Sequence, residues 1–128
     1  MKNIMVVEDD DDIRDVLESV LSDEGYLVNS FESLPAASDW LAGEEARPDL
    51  ILLDFMFPQG NSSNFLAALQ LRANRVPVLL MSAGNSVILG GDADRADGFI
   101  SKPIQIDTLL GEIGKWVSHG QSPFGPCG

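Results

Sequence analysis

Short apolar runs alternate with amphipathic stretches along this chain. Asn3–Val7 is a β-branched run too short for a helix and bounded by acids, so it reads as a buried strand. Ile13, Val16, Leu17, Val20 and Leu21 then recur at the spacing of one helical stripe, and Gly25 supplies a C-terminal stop. Tyr26–Phe31 reads as a second strand. Ser33 caps the following helix, with Pro35 in its first turn and Ala37, Trp40 and Leu41 facing inward until Gly43. Asp49–Leu53 is a third strand. Asn64 is expected to cap a helix whose apolar face holds Phe65, Leu66 and Leu69. Val76–Met81 reads as a fourth strand, with Pro77 near its start, where a missing N–H is tolerated. Gly98–Ser101 is a short fifth strand, and Ile106, Leu109, Leu110, Ile113 and Val117 mark a final helix.

Continuously apolar strands between amphipathic helices imply a parallel sheet covered on both faces. Five such units in 128 residues predict one α/β domain. The expected architecture is a flavodoxin-like, doubly wound (βα)5 three-layer sandwich with strand order 2-1-3-4-5. One interval is tight. Between Ser82 and Lys102 the chain must fit a loop, a helix, a second loop and a strand, and a mean helix alone takes about 11 residues. Only Ser86–Leu89 looks helical there before Gly90-Gly91 interrupts it, so a short or irregular fourth helix is expected. The domain is expected to span residues 1–118. Residues 119–128, rich in Gly and Pro, are expected to form a flexible tail or linker stub.

Composition narrows the classes of function. A net charge of -12 would repel a phosphate backbone and an anionic lipid surface alike, which argues against nucleic-acid and membrane partners. The single cysteine, Cys127, excludes an internal disulfide and a cysteine zinc cluster, and the single histidine, His119, excludes a histidine-rich metal site. Met1-Lys2 runs straight into a strand-like segment, and no stretch approaches the length of a membrane span. A cytoplasmic domain is the expectation.

In open α/β sheets, ligands bind at the carboxyl ends of the strands. The residues just past each predicted strand are Glu8 and Asp9, then Asp54, Ser82 and Lys102. Singly, each has a bland reading: Glu8–Asp12 as a solvated acidic turn, Asp54 as a strand terminator, Ser82 and Lys102 as punctuation. Jointly, they place three carboxylates, a hydroxyl and an ammonium on one rim. Crowded carboxylates repel one another, and a hard divalent cation such as Mg²⁺ relieves this through an all-oxygen site. Asp54 can then act as nucleophile toward a phosphoryl group, with Lys102 and Ser82 contacting its oxygens.

The segments IMVVEDDDDIRDVL, PDLILLDFMFP, PVLLMSAG and GFISKPI run in the order found in receiver domains of bacterial two-component response regulators, and the chain resembles that family from about Lys2 to Val117. The resemblance implies that Asp54 is a phosphoacceptor supplied by a sensor histidine kinase or a histidine phosphotransfer protein. It implies that Glu8, Asp9, Asp54 and the backbone carbonyl of Met56 hold Mg²⁺, that Ser82 moves to meet the phosphoryl group, and that Lys102 pairs with it. The Lys102–Pro103 peptide is expected to be cis, as in the family. Phe99 matches the aromatic switch position, turning inward as Ser82 moves and repacking the face of the fourth helix, fifth strand and final helix for an unidentified protein effector. Such a domain is no enzyme in the usual sense: it assists its own Mg²⁺-dependent phosphotransfer and autodephosphorylation.

Departures accompany the matches. Glu8 stands where Asp is commoner, Ser62 where glycine is usual, and Phe99 lacks a hydroxyl. The alternative is a receiver-like module that binds proteins without being phosphorylated. A haloacid-dehalogenase-type phosphohydrolase would need a second Asp at the position of Met56, and a flavodoxin-type cofactor binder would need a phosphate-cradling loop where the acids after the first strand lie. Phe55, Met56 and Phe57 read either as loop packing or as a docking surface for the kinase. Trp40 and Trp116 are expected on helices away from the rim.

Overall fold

A computed structural model describes residues 2–43, 46–57, 60–71, 76–83 and 96–117. The expected fourth-helix segment Ser86–Leu89, Gly90-Gly91 and the tail, with His119 and Cys127, lie outside these residues. In chain order the elements are β1 (Asn3–Val7), α1 (Asp11–Asp23), β2 (Leu27–Phe31), α2 (Leu34–Leu41), β3 (Leu50–Asp54), β4 (Met56–Phe57), β5 (Gly60–Asn61), α3 (Ser63–Gln70), β6 (Val78–Ala83), β7 (Gly98–Lys102) and α4 (Ile106–Val117). The main sheet runs β2-β1-β3-β6-β7, with every neighbouring pair parallel. Setting aside the small antiparallel ribbon β4–β5, this is the expected 2-1-3-4-5 order.

Strand alternation sends side chains to two cores. Met5, Val7, Ile51, Leu53 and Leu80 pack with Ala37 and Leu41 of α2 and Phe65, Leu66 and Leu69 of α3. On the other face, Ile4, Val6, Leu50, Leu52, Leu79 and Met81 pack with Leu17 and Leu21 of α1 and Leu109, Ile113 and Val117 of α4. Each fully buried aliphatic side chain contributes about 1.5–3 kcal/mol, so the three central strands dominate stability.

The helix ends are chemically specified. Asp10 caps α1 by accepting the Asp12 and Ile13 N–H groups at 2.9 and 3.1 Å. At the other end, Tyr26 N–H reaches Leu21 O and Gly25 N–H reaches Ser22 O, with Gly25 at φ 94° as this paired closure requires. Ser33 caps α2 through the Ala36 N–H. At the lower edge of the sheet, two aspartates precede strands and exchange paired bonds with the next strand. Asp49 accepts Asn3 N–H at 2.7 Å and donates its own N–H to Asn3 O. Asp97 does the same with Val78, at 2.8 Å in both directions.

Four expectations need correction. Val16 is 51% exposed, because the buried stripe of α1 narrows to Leu17 and Leu21. Ser62, rather than Asn64, precedes α3. Its N–H is tied to Phe55 O at 2.9 Å, which fixes the helix entry before Asn64 is reached. Its φ of -93° is open to any residue, so this place makes no demand for glycine. Pro77 lies before β6, and Ser82 lies inside it. Finally, β3 and β7 each run one residue further than expected, taking in Asp54 and Lys102.

Leu52 is fully buried on a central strand. Leu52→Ala is expected to cost about 2–5 kcal/mol, read as a lower urea midpoint at unchanged slope. A loss below about 1 kcal/mol would show that this core can collapse around the gap.

Candidate functional site

The carboxyl ends of β1, β3, β6 and β7 meet on one rim, and each site residue is set there by its strand. Glu8 follows β1, its N–H donated to Phe31 O at 3.0 Å. Its Oε2 accepts the Asp10 N–H at 3.1 Å, which turns the side chain over the loop toward α1. Asp54 closes β3 opposite Met81. Ser82, one residue further along β6, pairs in register with Ser101, and Ala83 with Lys102.

Lys102 joins the set. Its Nζ lies 2.9 Å from Glu8 Oε1 and 3.2 Å from Asp54 Oδ1. The contact with Glu8 is an ion pair outside hydrogen-bond alignment. Glu8 and Asp54 are only 1% and 4% exposed. Asp9, less buried, completes a carboxylate group whose oxygens lie within 4.8 Å of one another. Two buried carboxylates face one ammonium, and the imbalance is visible in acidity. Burial, then the charge of Glu8, push the Asp54 carboxyl up to about 7, against the opposing pull of Lys102. Burial works against the Lys102 ammonium, yet the two carboxylates outweigh it and its pKa is raised.

The remaining sequence candidates fall as follows. Ser82 is buried at the rim and Phe99, opposite Leu80, is 37% exposed. The Lys102–Pro103 peptide is cis. The Phe55–Phe57 triplet divides: Phe55 and Phe57 are buried in the core beside α3, and only Met56 faces outward, at 57% exposure. A continuous docking surface made of all three is therefore ruled out. Trp116 lies by Gly98, at the opposite end of β7 from Lys102. Trp40 is nearer the rim than expected: its ring packs at a 40° tilt, 5.3 Å between centroids, against Phe31, whose carbonyl receives the Glu8 N–H.

Sequence reasoning missed Arg14. Its Nη1 donates to the Glu8 carbonyl at 2.9 Å and its Nη2 pairs with Asp11. The available signal was a lone cation one turn into a helix that starts in a run of acids.

The Asp54 shift carries a stability consequence. Its ordinary value is 3.8, so between pH 3.8 and about 7 the unfolded chain has released a proton that the folded protein still holds. Stability from this group is fully present below pH 3.8 and is lost as pH rises through about 7. Urea denaturation in chelator is expected to show this decline in the wild type and a clearly shallower one in Asp54→Asn. Equal slopes would contradict the buried-pair account.

Comparisons with known proteins agree with this geometry. Residues 4–114 match the family described as the response regulator receiver domain. Response regulator MprA of Mycobacterium sp. (strain KMS) is 31% identical over 126 residues, covering 96% of this chain and 54% of that protein. The DNA-binding transcriptional regulator NtrC of Proteus hauseri is 32% identical over 120 residues, covering 91% of this chain and 25% of that protein. The chain thus spans about half the length of the first relative and a quarter of the second. Among solved structures, response regulator TrrA of Thermotoga maritima, in complex with Mg(2+)-BeF, shares the fold with a TM-score of 0.80 at 24% identity, covering 91% of this chain and 100% of that one. The non-phosphorylated HemR receiver domain of Leptospira biflexa gives 0.78 at 25% identity, over 92% of this chain and 95% of that one. With the family match spanning most of its length and relatives above 30% identity, the chain belongs to the response regulator receiver domain family of two-component systems.

Proposed function

We propose that this domain is a phosphoacceptor switch. Asp54 takes a phosphoryl group from the phosphohistidine of a sensor histidine kinase or a histidine phosphotransfer protein. A carboxylate oxygen of Asp54 bonds to phosphorus, the phosphorus–nitrogen bond breaks, and the imidazole nitrogen leaves with the electron pair. The observation that carries this reading is the approach of Lys102 Nζ to both Glu8 and Asp54 within 3.2 Å.

The donor set fits Mg²⁺. Carboxylate oxygens of Glu8, Asp9 and Asp54 lie within 4.8 Å of one another, two of the three acids are buried, and together they carry more negative charge than Lys102 offsets. Glu8, Asp9, Asp54 and the Met56 carbonyl would hold the ion, with Asp9 on the exposed side. Bound there, Mg²⁺ supplies charge neutralisation at the phosphoryl oxygens. Lys102 keeps its ammonium under every ordinary condition, since its pKa is raised, and it orients the carboxylate that reacts. Once Asp54 is phosphorylated, Lys102 pairs with the new anion and the Ser82 hydroxyl donates to it.

The strand register supports a steric switch. Ser82 and Phe99 lie on adjacent strands, Phe99 opposite Leu80 and partly exposed. Movement of the Ser82 hydroxyl toward the phosphoryl group leaves space that the Phe99 ring fills. With no hydroxyl on that ring, the coupling is steric. The surface of β7 and α4 then changes its affinity for an effector protein, by the difference in contacts between the two ring positions.

Intact mass after incubation with Mg²⁺ and a small phosphodonor tests the reading. One added phosphoryl mass is expected in the wild type, and none in Asp54→Asn or in chelator. No gain with either a small donor or a phosphorylated histidine protein would leave the domain as a binding module that is not phosphorylated.

A further inference from the structure

The turn between β1 and α1 is an unusual place to keep one conformation. Residues 8–15 include Glu8, Asp9, Asp10, Asp11, Asp12 and Asp15, with Arg14 as their one cation. Like charges this close push a turn open. Glu8 is held at its N–H by Phe31 and at its Oε2 by the Asp10 N–H. Lys102 holds the Glu8 Oε1, and the Glu8 carbonyl is the one backbone group still to be fixed.

Arg14 fixes that carbonyl. Its own N–H closes the first turn of α1 onto Asp10 O at 2.9 Å, so the side chain starts one turn above the acids. It folds back to place Nη1 2.9 Å from Glu8 O, while Nη2 is anchored by Asp11. The side chain is only 15% exposed. A guanidinium holds its donors in a rigid planar fork that fixes the directions to both acceptors, whereas an ammonium is a compact point charge on a shorter reach with freely rotating donors.

We infer that Arg14 is a positioning residue, clamping the Glu8 carbonyl so that the Glu8 and Asp9 carboxylates stay gathered with Asp54 for a divalent cation. This rests on reading that cluster as a metal site. The clamp differs in kind from Lys102. Lys102 touches the carboxylate oxygens of Glu8 and Asp54 themselves and so competes with a metal for them. Arg14 touches a backbone oxygen and Asp11, leaving the gathered oxygens open.

The two contributions of Arg14 have opposite signs, which makes the inference sharp. As a bare positive charge near the cluster, it repels a cation, and its removal would tighten metal binding. As a clamp, its removal loosens the turn and weakens binding. Groups that orient a metal ligand through a second contact typically change affinity by about 10–100-fold when lost.

The test uses the full chain, stripped with chelator and titrated with Mg²⁺ by calorimetry. Arg14→Gln is expected to bind roughly ten-fold more weakly than wild type. Arg14→Lys keeps the charge and loses the fork, and it is expected to be weakened as well. Asp11→Asn leaves Arg14 in place with a looser anchor, and a smaller loss is expected. All three are expected to keep the wild-type thermal midpoint in chelator to within a few degrees, since the clamp is a partly exposed pair. Equal or tighter binding by Arg14→Gln, full retention by Arg14→Lys, or losses that merely follow lowered midpoints would overturn the clamp and leave the phosphoacceptor reading standing. A wild type that takes up no Mg²⁺ would sink both.

Discussion

The site depends on one ammonium set between two buried carboxylates. Lys102 contacts Glu8 and Asp54 from the end of a third strand, so it ties β1, β3 and β7 at the rim. Burying two carboxylates side by side without a cation between them would carry a heavy desolvation cost. Burial first, and then the charge of Glu8, make Asp54 hold its proton toward neutrality against the pull of Lys102. The arrangement is thus stable enough to fold and unbalanced enough to favour a further positive charge.

The scaffold makes this possible by burying almost everything else. β1, β3 and β6 are covered on both faces, so their polar chemistry is confined to their ends. The ribbon β4–β5 has a part in this as well. It turns Phe55 and Phe57 into the core and leaves Met56 outside, which keeps the chain just after Asp54 in a defined path up to α3. The Ser62 N–H bond to Phe55 O closes that path.

Much of this was legible in the residues. Short, continuously apolar runs marked all five main strands, and the rule that ligands sit at strand ends pointed to Glu8, Asp9, Asp54, Ser82 and Lys102. The errors have physical sources. Val16 fits a helical stripe, yet the width of the contact between a helix and a twisted sheet decides how much of a stripe is covered. Asn64 is a good cap by composition, but a backbone bond from Ser62 to Phe55 sets the entry to α3, and such a bond leaves no mark on local sequence. Arg14 was passed over because its partner is a main-chain oxygen six residues away, invisible to any pattern of side-chain types.

Asp49 and Asp97 carry a consequence that reaches the far end of the molecule. Parallel strands buried on both faces have little to stop them sliding along one another, since their apolar faces look alike at each step. A slip of β1 past β3, or of β6 past β7, would strand an aspartate carboxylate and leave a strand's first amide bare. These two side chains act as alignment pins, and the distance from pin to rim is counted in whole residues. Which atoms emerge together at the reactive edge is therefore settled a full strand length away from it, by groups with no part in the chemistry.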